Sequence, residues 1–301
     1  MDMLTVESRR PRFRRHRFGK PPLVLQQRDR EIVQLVADYR FITSEEIQAL
    51  TAGSDQTILR RLQKLYHAGY LDRPRSQQQR GNARMIYALG QEGAHLLAKL
   101  TGNEYAKGDW SEKNRQVRVQ YLEHSMMVSR FRATLTLATR LNEEVALESW
   151  HPGQELQDEV RVEHPDWTER IPVCPDAFFV LRLTAEREGR NRVHVFLEAD
   201  RGTMTAKRVL TKMRGYWHYW RSGKQEERFG MKNFLVLTVS RTTERSANLS
   251  AVTRELDAPK HRGLRMFLFG SEQSYSLTEP RQILEPVWKT PGDGDFHSLL
   301  E

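Results

Sequence analysis

The spacing of apolar residues between residues 27 and 100 constrains the fold of this chain more than any other feature. Apolar side chains recur at helical spacing in three successive segments, which predicts three helices. These segments are residues 27–40, 43–50 and 55–67. Thr43 precedes two glutamates and predicts the N-cap of the second helix. Gly69 predicts the C-terminal end of the third.

After the third helix the apolar pattern shortens to that of two strands. We predict strands at residues 70–75 and 85–89, joined by the polar residues 76–82, and a further helix at residues 90–100. Three helices, a two-stranded hairpin and a closing helix form the element order of a winged helix-turn-helix. The sequence therefore predicts such a domain at residues 22–100.

Positive charge is concentrated in the same part of the chain. Residues 1–100 contain 18 Lys and Arg against 10 Asp and Glu, whereas residues 101–301 contain 30 against 29. A basic third joined to a neutral remainder indicates that one part meets a polyanion, and we expect double-stranded DNA. Residues 1–21 are predicted to be a disordered basic arm, either a solvated tail or a loose phosphate-binding segment.

In a helix-turn-helix, the third helix enters the major groove of DNA and its N-terminal half faces the base edges. Here that half offers Gln56, Thr57, Arg60 and Arg61, with Lys64 one turn further on for phosphate. The hairpin adds four arginines that suit the minor groove or the flanking backbone: Arg73, Arg75, Arg80 and Arg84. The alternative is a protein-interaction module with a solvated basic face.

The rest of the chain predicts an α/β (α+β) domain. Residues 101–116 are polar and predict a linker, and residues 271–301 predict an irregular tail. Between them, residues 117–270 predict a long helix followed by strands and two further helices, around a mixed central sheet. The apolar stripe of the long helix either supports a homodimer or packs inside one subunit. Its members are Leu122, Met126, Phe131 and Leu135.

Three carboxylates lie at the ends of two consecutive apolar strands. Asp176 begins one strand, and Glu198 and Asp200 end the next. If the strands pair as a hairpin, the carboxylates could surround one point and hold Mg²⁺, which could activate water against a phosphodiester. Structural alternatives stay open: Asp176 as a turn cap, and Glu198 or Asp200 in an ion pair with Arg201 or Lys212.

This arrangement resembles the PD-(D/E)XK nuclease superfamily, where a Pro-Asp and a later Asp/Glu-x-Lys lie on adjacent strands. The resemblance implies a restriction-endonuclease-like fold with Asp176, Glu198 and Asp200 as metal ligands and catalytic residues. Asp200 stands where that superfamily has its lysine. We expect Lys212, on the following helix, to supply the amino group, with Lys207 as the other candidate.

Over residues 25–270 the chain also resembles the replication-relaxation family of plasmid and mobile-element proteins. The resemblance depends on the N-terminal winged helix, on residues 198–203 and on Lys212 followed four residues later by Tyr216. It implies a DNA-binding role in replication, relaxation or mobilisation, with mobile-element or replication proteins as partners. Two alternatives are an active Mg²⁺-dependent endonuclease and a non-catalytic transcription regulator.

Several classes are not indicated by the sequence. No run of eighteen apolar residues occurs, so we expect no membrane span and a cytoplasmic protein. A P-loop is absent. Cys174 is the only cysteine, which excludes an intrachain disulfide and a thiolate zinc site, and we expect its side chain to be buried.

Overall fold

A computed structural model describes most of the chain. The described residues are 15, 23–80, 84–102, 104–186, 191–256, 264–291 and 295–300, without the side chains of residues 78–80. The chain divides into two compact units, Met1–Ser129 and Arg130–Glu301. No helix in the described part is both long and apolar enough to cross a membrane.

The first unit contains the helices and strands that the sequence predicts between residues 27 and 101, together with one additional strand. In chain order they are α1 (Gln27–Tyr39), β1 (Ile42–Thr43), α2 (Ser44–Leu50), α3 (Asp55–Ala68), β2 (Leu71–Asp72), β3 (Ile86–Leu89) and α4 (Gln91–Thr101). The strands form an antiparallel sheet in the order β1–β3–β2, in which Tyr87 pairs with Ile42 and Leu89 with Leu71. A 3-10 helix, Arg75–Arg80, lies between β2 and β3.

Local capping explains where these helices begin and end. The Thr43 hydroxyl accepts a hydrogen bond from the Glu46 backbone N–H, and the Glu46 carboxylate accepts one from the Thr43 N–H. The Ser54 hydroxyl accepts a hydrogen bond from the Thr57 N–H at the start of α3. Gly69 ends α3 with a φ of 87°, which glycine adopts without steric cost. Both predicted signals, Thr43 and Gly69, are confirmed.

The predicted linker at residues 101–116 is wrong, because much of it is ordered structure. It contains the helix α5 (Trp110–Arg115), and Asn114 within it is buried. The Asn114 amide donates to the Leu89 carbonyl oxygen at 2.9 Å and accepts from Arg40 Nη1 at 2.8 Å. A polar segment can pack when its hydrogen bonds are satisfied, which composition does not reveal.

The long helix α6 (Val119–Arg140) crosses the boundary between the two units. Leu122 and Met126 are buried in the first unit, in a cluster with Phe41 and other side chains. Phe131 is buried in the second. The predicted apolar stripe therefore packs inside one chain, and the homodimer stays a prediction.

The second unit is built on a seven-stranded mixed sheet, which confirms the predicted class. Its elements are β4 (Val145–Pro152), β5 (Asp158–Glu163), β6 (Thr168–Val173), β7 (Ala177–Leu183), β8 (Arg192–Asp200), α7 (Ala206–Arg221), α8 (Lys224–Phe229), β9 (Leu235–Ser240), α9 (Thr243–Thr253), β10 (Phe267–Ser271), β11 (Trp288–Lys289) and β12 (Phe296–His297). The strand order is β12–β11–β10–β9–β8–β7–β4. Strands β8, β9 and β10 are parallel, and the other neighbouring pairs are antiparallel. Strands β5 and β6 form a separate hairpin.

Two helices connect the parallel strands: α7 joins β8 to β9, and α9 joins β9 to β10. Phe196, Tyr216 and Phe234 belong to the core between the sheet and these helices. Because β8, β9 and β10 run in the same direction, their carboxyl ends lie at one edge of the sheet. Glu198 and Asp200 occupy the carboxyl end of β8.

The predicted irregular tail is wrong as well. Strands β11 and β12 extend the sheet beyond β10. The Trp288 side chain is fully buried, and its indole Nε1 donates to the Ile283 carbonyl oxygen at 3.0 Å. Two-residue strands are too short to show an alternating pattern in sequence, so only packing reveals them.

Candidate functional site

The exposed face of α3 carries the cations nearest to the predicted DNA interface. Gln56, Thr57, Arg60 and Lys64 are all exposed. Arg60 and Lys64 form no ion pair within the described part of the chain. Residues 57, 60 and 64 are three and four apart, so they share one side of the helix. This side is the only part of the predicted reading set that α3 presents intact.

Arg61 does not belong to that face, which corrects its predicted contact with base edges. It lies three residues after Ile58 and four before Leu65, both fully buried, so it faces inward. Arg61 Nε donates to Asp29 Oδ1 at 2.7 Å, and a second guanidinium nitrogen contacts the other oxygen. The Asp29 side chain is fully buried and also accepts the Gln26 backbone N–H at the start of α1. Arg61 therefore ties α3 to α1.

The four arginines predicted for the hairpin separate into different roles. The Arg73 guanidinium lies over the rings of Tyr66 and Tyr87, 4.0 and 5.1 Å from their centroids, and donates to the Tyr87 hydroxyl at 3.0 Å. It is therefore a packing residue rather than a DNA contact. Arg75 is exposed, and Arg84 is exposed while paired with Glu45.

Two predictions concern residues with little or no structural description. The side chain of Arg80 lies outside the described residues, as does the predicted basic arm apart from Arg15. Arg15 donates to the carbonyl oxygens of Tyr66 and Leu71, both at 3.1 Å. This arginine is therefore held against the end of α3 and the start of β2.

A buried carboxylate cluster lies at the carboxyl end of β8. Glu198 is 2% exposed, and its two oxygens accept hydrogen bonds from Lys212 Nζ and the Tyr216 hydroxyl. Lys212 and Tyr216 are four residues apart on α7 and so project from the same side of it. The expectation that Lys212 reaches this site is confirmed by the contact.

Asp176 adjoins Glu198 through the pairing of β7 with β8. Its carboxylate Oδ2 accepts the Ala199 backbone N–H at 2.7 Å, and its own N–H donates to the Leu197 carbonyl oxygen at 2.9 Å. Gly153 packs beneath this turn. A Cβ atom there would lie 2.0 Å from the Pro175 carbonyl oxygen, so only glycine fits without a shift.

The charges of this cluster shift one another. Burial raises the pKa of Glu198 to about 7, against the opposing effect of Lys212 and with a further increase from Asp176. Burial lowers the pKa of Lys212, but Glu198 and Asp176 outweigh it, so the net pKa is raised. Burial and the adjacent Glu198 raise the pKa of Tyr216 well above its ordinary value.

Asp200 does not join the other two carboxylates. Its Oδ2 accepts from Arg245 Nε at 2.7 Å and from the Gly202 N–H at 3.0 Å. Arg245 also donates to the Met204 carbonyl oxygen at 2.8 Å. Arg245 was missed by sequence reasoning, because it lies 45 residues from Asp200 in the chain. An ion pair with a basic residue was one alternative for Asp200, but the partner is Arg245 rather than Arg201.

The donor set does not fit the predicted Mg²⁺ site in this arrangement. Across the described ranges, no three His, Cys, Asp or Glu residues lie close enough to hold a metal ion together. Glu198 directs both oxygens at Lys212 and Tyr216, and Asp200 is neutralised by Arg245. A cation would have to displace these partners, so the convergence of three carboxylates is corrected.

Two other predictions concern side chains near the cluster. Cys174 is exposed, which corrects its expected burial. The aromatic residues of α7 pack in the core as expected: Tyr216, Trp217 and Tyr219 are buried. Tyr216 has a polar role as well, because its hydroxyl binds Glu198.

Comparison with known proteins gives one match. Residues 33–234 match a family model described as replication-relaxation. The matched segment covers more than half of the 301 residues, from α1 to the start of β9, and includes both α3 and the Glu198 cluster. No curated protein and no solved structure matches the chain.

Proposed function

Because the chain belongs to the replication-relaxation family, we propose that it binds duplex DNA through α3 during replication, relaxation or mobilisation of a plasmid or other mobile element. In this proposal the first unit is a winged helix-turn-helix, with α2 and α3 as the helix pair and the β2–β3 connection as the wing. The partners are double-stranded DNA and proteins of the same replication process.

One observation carries the proposal: Arg60 and Lys64 stand exposed on the side of α3 that has no packing role. Arg61, by contrast, is spent on fixing α3 against α1 through Asp29. The helix is thus held rigidly while its polar side stays available, as reading base edges in a groove requires. Arg75 and Arg84 are exposed further along the chain and would contact the DNA backbone.

The proposal is tested by replacing both exposed cations, Arg60→Ala with Lys64→Ala. We expect duplex affinity to fall by at least about tenfold, since a base contact and a phosphate contact are lost together. The slope of log affinity against log salt should decrease by about 1 to 2, given about 0.9 per phosphate neutralised. Fluorescence anisotropy with a labelled duplex at several salt concentrations measures both quantities.

Lys99→Ala is the matched control, because Lys99 is an exposed cation of the same unit on α4. It should leave both the affinity and the salt slope unchanged. Equal loss in the control and the double variant would reduce the effect to general charge attraction. Unchanged affinity in the double variant would remove α3 from the interface, and the exposed face would then favour the protein-interaction alternative.

Cleavage of the bound DNA is a second candidate function, favoured by the position of Asp176 beside Glu198 and Lys212. That juxtaposition has the residue types of a nuclease site. The oxygens of Glu198 are nevertheless occupied by Lys212 and Tyr216, so the proposal places binding before cleavage. A transcription regulator that uses the same α3 face is the remaining alternative, separated by whether binding alters replication or promoter activity.

A further inference from the structure

A pocket of about 400 Å³ lies in the second unit, away from the Glu198 cluster. It is bounded by α9, by the carboxyl end of β10 and by β11, and Phe296 of β12 also lines it. Its size falls within the range of small-molecule sites. Parallel α/β sheets bind ligands beyond the carboxyl ends of their strands, where this pocket lies.

The charge of the lining points to an anionic ligand. Arg254 and Lys289 line the pocket, whereas no Asp or Glu does. Neither cation forms an ion pair within the described ranges. Arg254 Nε donates to the Pro291 carbonyl oxygen at 3.0 Å, which fixes its stem, and the other guanidinium nitrogens remain for a ligand. Lys289 Nζ lies 4.3 Å from the centroid of the Phe296 ring.

Hydroxyl groups supply the second feature of the lining. Ser246 and Ser250 lie on one side of α9 and are 8% and 7% exposed. Neither hydroxyl bonds a residue in the described part of the chain. A buried hydroxyl without a partner is costly, and a bound acceptor would remove that cost. The N-terminal turn of α9, at Thr243, lines the same pocket and favours negative charge.

Aromatic rings form the apolar part of the pocket. The Phe269 side chain is buried in its wall, and Phe296 is 57% exposed. Along α9 the pocket extends from Thr243 to Arg254, which corresponds to about 16 Å at about 1.5 Å per residue. Cations and hydroxyls in one cavity suit a phosphate, and a ring exposed beside them suits a flat base.

We propose that this pocket binds a phosphate monoester attached to a nucleobase, in the form of a nucleotide or of the 5′-phosphorylated end of a DNA strand. Lys289 and Arg254 bind the phosphate oxygens, and Ser246 and Ser250 donate hydrogen bonds to the ligand. Phe296 stacks on the base. This site is separate from the duplex interface proposed for α3 and does not depend on it.

The test measures binding to the full chain by isothermal titration calorimetry, with adenosine 5′-monophosphate, adenosine and inorganic phosphate as probes. We expect the monophosphate to bind and adenosine to bind at least tenfold more weakly. Lys289→Gln combined with Ser250→Ala should weaken binding of the monophosphate by at least tenfold. Lys289→Arg, which keeps the charge, should retain most of the affinity. Lys232→Gln is the matched control, because Lys232 is exposed in the same unit and lies outside the pocket.

The two ligand sources are separated with a short single strand, with or without its 5′-phosphate, in the Arg60→Ala, Lys64→Ala background. A gain in affinity from the phosphate that disappears with Lys289→Gln and Ser250→Ala identifies a strand end. Binding of the free monophosphate alone identifies a nucleotide. The inference is overturned if neither probe binds, if adenosine binds as tightly as its monophosphate, or if the pocket variants bind unchanged. Duplex binding by the pocket variants is measured in parallel and reports on α3 alone.

Discussion

Glu198 holds a carboxylate where water is nearly excluded, and the energetic consequence follows from its pKa of about 7. In the unfolded chain the same group titrates near its ordinary value of 4.5. The folded state therefore keeps the proton more tightly than the unfolded state. Its contribution to stability is fully present below the unfolded pKa and is lost as the pH rises through the folded one.

We accordingly predict that the free energy of unfolding decreases between about pH 4.5 and pH 7 by up to about 3 kcal/mol, at about 1.4 kcal/mol per pKa unit. Urea denaturation at half-unit pH intervals measures this decrease. Glu198→Gln cannot titrate and should show a flatter profile over the same interval. Parallel profiles for the two proteins would mean that Glu198 is not the group responsible.

At the scale of elements, the Asp29–Arg61 pair clamps α1 to α3. Removing one partner of a buried ion pair leaves an uncompensated charge, which costs about 3–5 kcal/mol. We predict that Arg61→Ala lowers the free energy of unfolding by that amount, measured by chemical denaturation. Arg60→Ala, one residue away on the exposed side, should change it by less than about 0.5 kcal/mol.

The clamp also predicts non-additivity. Asp29→Ala combined with Arg61→Ala removes both charges, so its cost should be smaller than the sum of the two single changes. Additive costs would contradict a direct pairing. A drop in DNA affinity by Arg61→Ala would then have to be separated from unfolding, which a thermal melt of the same sample does.

For the molecule as a whole, the carboxylates of the second unit have partners within the protein. Glu198 is bound by Lys212 and Tyr216, and Asp200 by Arg245. We therefore predict that the protein binds supercoiled and linear DNA without nicking or cutting it in Mg²⁺ or Mn²⁺. Agarose gel electrophoresis of plasmid DNA after incubation is the measurement. Nicking by the natural protein that is lost in Glu198→Ala would contradict the prediction and restore the endonuclease hypothesis.

Much of the first unit could be predicted from sequence because its signals are local. Helical spacing, the Thr43 cap and the Gly69 terminus each depend on residues within one or two turns. The excess of positive charge in residues 1–100 is also a property of the sequence alone. In the second unit the same reasoning predicted the mixed sheet and selected Lys212 as the lysine near Glu198.

Only the tertiary structure decided which charged side chains are available. Neighbouring residues on a helix point about 100° apart, so Arg60 and Arg61 look alike in sequence, yet one is exposed and the other is bound to Asp29. The partner of Asp200 is Arg245, and its choice depends on how α9 packs against the carboxyl end of β8. The sequence determined an element order and a basic N-terminal third. Long-range packing determined that Arg60 and Lys64 face solvent while Glu198 and Asp200 are paired inside the protein.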